Sequence, residues 1–192
     1  MRSSPPRLRG KTVASQRPSR PVSGVLIGDG LVLTTFSVVA SRRSDGQLEP
    51  PAAIEVVTDE VGVVPARFVI ADPALDLAIL QLPDQLRDLG GATLAASDPA
   101  VGDGVIAIGA EADSLYVVGV SIDRVEFAPG GGARLYINRA LPESFWGGPL
   151  FDAEGRLAGL STRPSSDSDS GFAVPTSLLW TLIDRVRGPT RL

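Results

Sequence analysis

Residues 148–162 read GPLFDAEGRLAGLST, and this stretch decides the fold. Apolar Leu150-Phe151 and Leu157 to Leu160 flank the polar segment Asp152-Ala153-Glu154-Gly155, which spells strand, tight turn and strand. Residues 24–35, GVLIGDGLVLTT, repeat the pattern around a GDG turn. One such hairpin in each half of the chain points to two similar β units side by side, joined near Gly90-Gly91 and Ser97-Asp98-Pro99.

Outward from these hairpins, short runs rich in Val and Ile recur between Gly, Asp and Pro. They include Ile54 to Val57, Val61 to Val64, Phe68 to Ile70, Leu77 to Leu82, Val105 to Ile108, Tyr116 to Val120, Leu135 to Ile137 and Phe172 to Val174. Regularly punctuated runs of this length are the pattern of an all-β sandwich or barrel. Helical signal is confined to PDQLRDL at 83–89 and to PTSLLWTLIDRVRG. In the latter, Leu178, Leu179, Leu182, Ile183 and Val186 recur at helical spacing after a cap at Thr176 or Ser177, and Gly188-Pro189 ends the run.

The composition narrows the chemistry. The 192 residues contain no Cys and no His. Disulfides, thiolate nucleophiles and Cys- or His-ligated metals are excluded, as is the imidazole that usually serves as general base near neutral pH. No cofactor and no metal site is expected. Residues 1–20 hold Arg2, Arg7, Arg9, Lys11, Arg17 and Arg20 without an acid, leaving 12 basic and 22 acidic residues in the remainder. This Pro/Ser/Arg-rich segment reads as a disordered tail able to touch an acidic surface weakly. A nucleic-acid or lipid-surface role led by the tail conflicts with the acidic body. With no apolar leader and no membrane-length apolar run, a cytoplasmic location is expected.

Ordered segments also resemble a known family, the trypsin-like serine proteases, and within it the bacterial HtrA type. SGVLIGDGLVLTTFSVV (23–39) resembles the approach to the family's TNxHVV motif, ADPALDLAILQL (71–82) its D-x-x-x-D-L-A motif, and ESFWGGPLFDAEGRLAGL (143–160) its PGNSGGPL motif with the following hairpin. VGDGVIAIG (101–109) and GFAVPTSLL (171–179) are similar to two further segments. The resemblance implies two six-stranded antiparallel barrels of the chymotrypsin type, at about 21–90 and 98–175, with a C-terminal helix at about 176–187 packed on the second. The family often carries a PDZ domain; none is expected after this helix.

Carried over residue by residue, the family's base falls on Ser37, its acid on Asp76 and its nucleophile on Trp146. The oxyanion-hole donors fall on the backbone of Ser144 and Trp146. Ser37 lacks the basicity and Trp146 the nucleophilic atom that acyl transfer needs. The expected function is therefore a pseudoprotease that binds a protein or peptide in the inter-barrel cleft, with Phe145, Trp146, Gly171 and Phe172 as candidate contacts. The alternative is an endopeptidase that depends on a partner or on unrecognised residues. Asp76 is read as structural, accepting hydrogen bonds around residues 36–37. Phe145-Trp146 is either a binding hot spot or a plug in the vacated cleft. Asp167 and Asp169 are read as a solvated loop, not as cation ligands, and Gly130-Gly131-Gly132 as a turn.

Overall fold

A computed structural model describes residues 11–15, 22–42, 48–49, 53–111, 114–127, 132–164 and 170–188. Among the described residues there are fourteen strands. The first eight are β1 (Lys11–Ser15), β2 (Val22–Leu26), β3 (Leu31–Thr34), β4 (Ser41–Arg42), β5 (Leu48–Glu49), β6 (Ile54–Thr58), β7 (Gly62–Asp72) and β8 (Leu77–Gln81). The rest are β9 (Gly104–Glu111), β10 (Ser114–Phe127), β11 (Ala133–Ile137), β12 (Pro149–Phe151), β13 (Leu157–Thr162) and β14 (Gly171–Pro175). A helical turn α1 (Phe36–Val39) follows β3, and helix α2 (Thr176–Arg187) follows β14. The strands close into two antiparallel barrels, ordered β1-β2-β3-β8-β7-β6 and β10-β11-β14-β13-β12-β9, while β4 and β5 form a small separate ribbon.

The expected fold class holds, and three differences have physical causes. The basic segment is not wholly a tail: β1 pairs with β2 and β6, so the first barrel begins near residue 11 rather than 21. A sheet needs its last edge covered, and five strands would leave β2 and β6 open. The other tail residues lie outside the described residues, as do Asp167, Asp169 and most of the triple-glycine turn. Second, the expected runs at Val61 to Val64 and Phe68 to Ile70 are one strand, β7, which starts at Gly62, leaving Val61 in the turn, and runs through Pro65. Pro65 pairs with Glu55 on β6, and β7 begins its pairing with β8 only at Arg67. The missing N–H thus faces no ladder on the second side.

Third, α2 bridges the barrels instead of packing on one. Its buried Leu179, Leu182 and Ile183 share a core with Val25, Leu31, Leu33, Leu77 and Ile79 of the first barrel and with Ile108, Leu157, Leu160 and Val174 of the second. The Arg187 guanidinium donates to the Ile27 carbonyl at 2.9 Å and pairs with Asp29 at 2.8 Å, fixing the helix end to the GDG hairpin.

Alternation along the central strands explains why they read as unbroken apolar runs. Leu31, Leu33, Leu77 and Ile79 face this seam, whereas Val32, Ala78 and Leu80 fill the first barrel with Leu26, Phe36 and Val56. A strand buried on both faces has no polar side to show. The second barrel is filled separately by Val105, Ala107, Ile122, Leu135, Ile137, Phe145 and Leu150.

Neither Pro175, which precedes α2, nor its first residues cap the helix by themselves. The cap comes from the inter-barrel connection, where Asp98 accepts the Ser177 N–H at 2.8 Å and the Ser177 hydroxyl at 2.7 Å. Asp98→Ala should lower stability by about 1 kcal/mol, read as a lower melting temperature with unchanged far-ultraviolet circular dichroism.

Candidate functional site

Ser37 is the second residue of α1, and Asp76 sits in the turn between β7 and β8. The Asp76 carboxylate accepts the Ser37 N–H at 2.7 Å and the Ser37 hydroxyl at 2.8 Å, while the Asp76 carbonyl accepts the Phe36 N–H at 3.1 Å. Thr35, the residue before the turn, makes no side-chain cap. Asp76 thus satisfies the orphan donors of a helix start, by the same geometry that Asp98 uses on Ser177. It does so from a left-handed backbone conformation, φ 55°, which aspartate tolerates better than most residues.

Burial pushes the Asp76 carboxyl above its ordinary value of 3.8, against the downward pull of the Ser37 hydrogen bonds and of the Arg163 and Arg134 charges. The folded state therefore holds this proton to a higher pH than the unfolded chain. The group's contribution to stability is greatest below 3.8 and declines as pH rises through the folded value.

Residues 142–148 lead into β12 of the second barrel. Glu143–Phe145 form a single 3-10 turn in which the Trp146 N–H donates to the Glu143 carbonyl at 2.9 Å. One of the oxyanion-hole-equivalent donors is thereby occupied internally. Ser144, the other, has its carbonyl taken by the Ser23 hydroxyl at 2.6 Å. The Phe145 ring enters the second barrel's core and lies so close to Gly109 that a Cβ there would come within 2.7 Å of it. Phe145 is thus a plug and not a surface anchor. Gly171 and Phe172 are likewise buried, in β14, with Phe172 stacked on Tyr136 at 4.7 Å, so neither presents a side chain to a partner.

Trp146 alone of this set stays partly exposed, with the Arg163 guanidinium 5.7 Å above its ring. Its indole Nε1 is enclosed and has no acceptor among the described residues. Arg163 lies over Trp146 and its charge also acts on Asp76.

The residue that ties the 142–148 loop to the first barrel, Ser23 of β2, carried no signal in the sequence. It is 2% exposed, its N–H donates to the Trp146 carbonyl at 3.0 Å, its hydroxyl accepts the Ala110 N–H at 2.9 Å, and its carbonyl accepts the Thr34 hydroxyl at 2.8 Å. Gly147 has φ 79°, and a Cβ there would meet the Ser23 carbonyl oxygen at 2.2 Å.

A family profile described as a trypsin-like peptidase domain matches residues 22–160. The chain belongs to the trypsin-like peptidase family. Its relatives are of the HtrA type. A probable periplasmic DegP-like serine endoprotease of Brucella suis is 30% identical over 184 residues, covering 89% of this chain and 34% of that protein. The chain thus spans about a third of the length of the curated relative it matches. The crystal structure of the HtrA-type protease AlgW with a tripeptide has a TM-score of 0.74 at 25% identity, covering 94% of this chain and 60% of that one. The active form of the Rv3671c protease of M. tuberculosis has a TM-score of 0.78 at 20% identity, covering 96% and 82%, and shares the fold. The periplasmic description of the Brucella relative overturns the cytoplasmic expectation and points outside the cytoplasm. A trypsin-like body needs the same barrel cores in either compartment, so its residues hold no record of location. Among the described residues no helix is long and apolar enough to cross a membrane, and no group of three or more His, Cys, Asp or Glu could hold a metal.

Two outcomes test this arrangement. Asp76→Ala should destabilise more than Asp76→Asn, because Asn keeps an acceptor for the Ser37 N–H. The melting-temperature difference between wild type and Asp76→Asn should move in favour of wild type as pH falls from 7 to 4; a pH-independent difference would contradict the raised carboxyl. Ser23→Ala orphans the Ala110 donor and should cost about 2 kcal/mol in chemical denaturation.

Proposed function

We propose that this chain is a trypsin-like pseudoprotease, a module that binds a protein or peptide in the inter-barrel cleft without cutting it. The observation that carries the reading is Trp146, which stands where the family's nucleophile is carried by the resemblance and has no atom able to attack a carbonyl. Three features support it. Ser37, at the position of the base, spends its hydroxyl on Asp76. The sequence holds no histidine to take its place. The Trp146 N–H, which would polarise the scissile carbonyl, is turned inward to Glu143.

The kinship with serine endopeptidases favours a second reading, an enzyme whose missing groups come from a partner or from residues not recognised. The two separate in one experiment. Purified protein is incubated with denatured casein and with a serine-directed phosphonate probe, beside the Trp146→Ser variant. No cleavage and no labelling is expected from either protein, since Ser37→His and an opened oxyanion hole would be needed as well. Cleavage or labelling of the wild type overturns the pseudoprotease reading. In a Trp180→Phe background, casein fragments should shift the emission of the remaining Trp146 on titration; an unmoved spectrum with no bound peptide would remove the binding half of the reading.

A further inference from the structure

An open cleft of about 340 Å³ runs between the barrels beside Asp76, with Leu75 and Asp76 on one side and Glu126, Phe127, Arg134 and Arg163 on the other. Its charged groups are unequally engaged. Asp76 is held by Ser37. Glu126 pairs with Arg124 at 3.0 Å and accepts the Tyr136 hydroxyl at 2.5 Å. Arg134 and Arg163 are exposed and have no carboxylate partner among the described residues. Each lies over an aromatic face instead, Arg134 at 5.6 Å from the Phe172 ring and Arg163 at 5.7 Å from the Trp146 ring.

A guanidinium resting on a ring keeps its N–H donors for a further partner, and that donor fork matches a carboxylate. Both guanidiniums line the same cleft. The lining thus carries two carboxylates, Asp76 and Glu126, that already hold hydrogen-bond or ion-pair partners, and two arginines that have no carboxylate within ion-pair distance among the described residues. Beside the cations, Phe127 is 79% exposed and Leu75 adds an aliphatic contact. An apolar surface next to unmatched cations suits an acidic side chain flanked by an apolar one.

We propose that the cleft takes an acidic peptide, with a glutamate or aspartate carboxylate received by Arg134 and Arg163 and the neighbouring apolar side chain lying on Leu75 and Phe127. The inference rests on the peptide-binding reading above and names its ligand class. The test is fluorescence anisotropy with fluorescein-labelled Ala-Val-Phe-Glu-Val-Ala amide and the same peptide carrying Gln for Glu.

The Glu peptide should bind roughly fivefold tighter at low salt, and the preference should fade at ~0.5 M salt. Arg134→Gln combined with Arg163→Gln should abolish the preference, the two peptides then binding alike, with far-ultraviolet circular dichroism unchanged, as both guanidiniums are exposed. Equal binding of the two peptides by wild type, or a preference that survives the double substitution, overturns the acidic specificity and leaves peptide binding intact. Binding of neither peptide overturns it too. The casein titration, which requires no acidic residue, then decides separately whether the cleft holds peptide at all.

Discussion

The seam between the two barrels turns on one buried serine. Ser23 donates or accepts through its N–H, hydroxyl and carbonyl, and its partners are Trp146, Ser144, Ala110 and Thr34. A buried polar group is costly unless satisfied, and once satisfied it fixes the geometry of everything it touches. Here it ties β2 of the first barrel to β9 and to the 142–148 loop of the second. The backbone approaches so closely at this point that Gly147 and Gly148 leave no room for a Cβ. The position of the Trp146 backbone is therefore set by the seam, and both barrels and α2 share an apolar core.

A second device recurs at both ends of the domain. α1 and α2 each begin with a serine at the second helical position whose N–H and hydroxyl are both taken by one aspartate from a distant loop, Asp76 for Ser37 and Asp98 for Ser177. Seen in α2 alone, this is helix capping. Its repetition in α1 gives the family's acid position a structural role that needs no catalysis. The satisfied donors of α1 oppose, without outweighing, the desolvation of the Asp76 carboxyl.

Family and architecture were legible because they are written locally. The DAEG hairpin holds itself with Asp152 accepting the Glu154 and Arg156 N–H groups within four residues, and the GDG hairpin with three successive left-handed residues, Gly28, Asp29 and Gly30. The Asp76–Ser37 contact was also foreseen, since the resemblance brings the two positions together. Other features were not legible. β1 lies in a Pro/Ser/Arg-rich segment and becomes a strand only because two open edges need a partner. α1 has no capping side chain of its own, so nothing near residue 36 announces it. Compartment was misread, and the relatives corrected it.

The sequence by itself determined the β pattern and the family, and it sets Ser37 and Trp146 where the resemblance carries the family's base and nucleophile. These are matters of residue identity and short-range turn chemistry. Only the tertiary structure decided what those residues do. It buried Phe145 beneath Gly109, turned the Trp146 N–H inward, and left Arg134 and Arg163 over ring faces without a carboxylate among the described residues. Each of those outcomes depends on groups far apart in the chain competing for the same buried space and the same hydrogen-bond partners. Local pattern does not encode that competition.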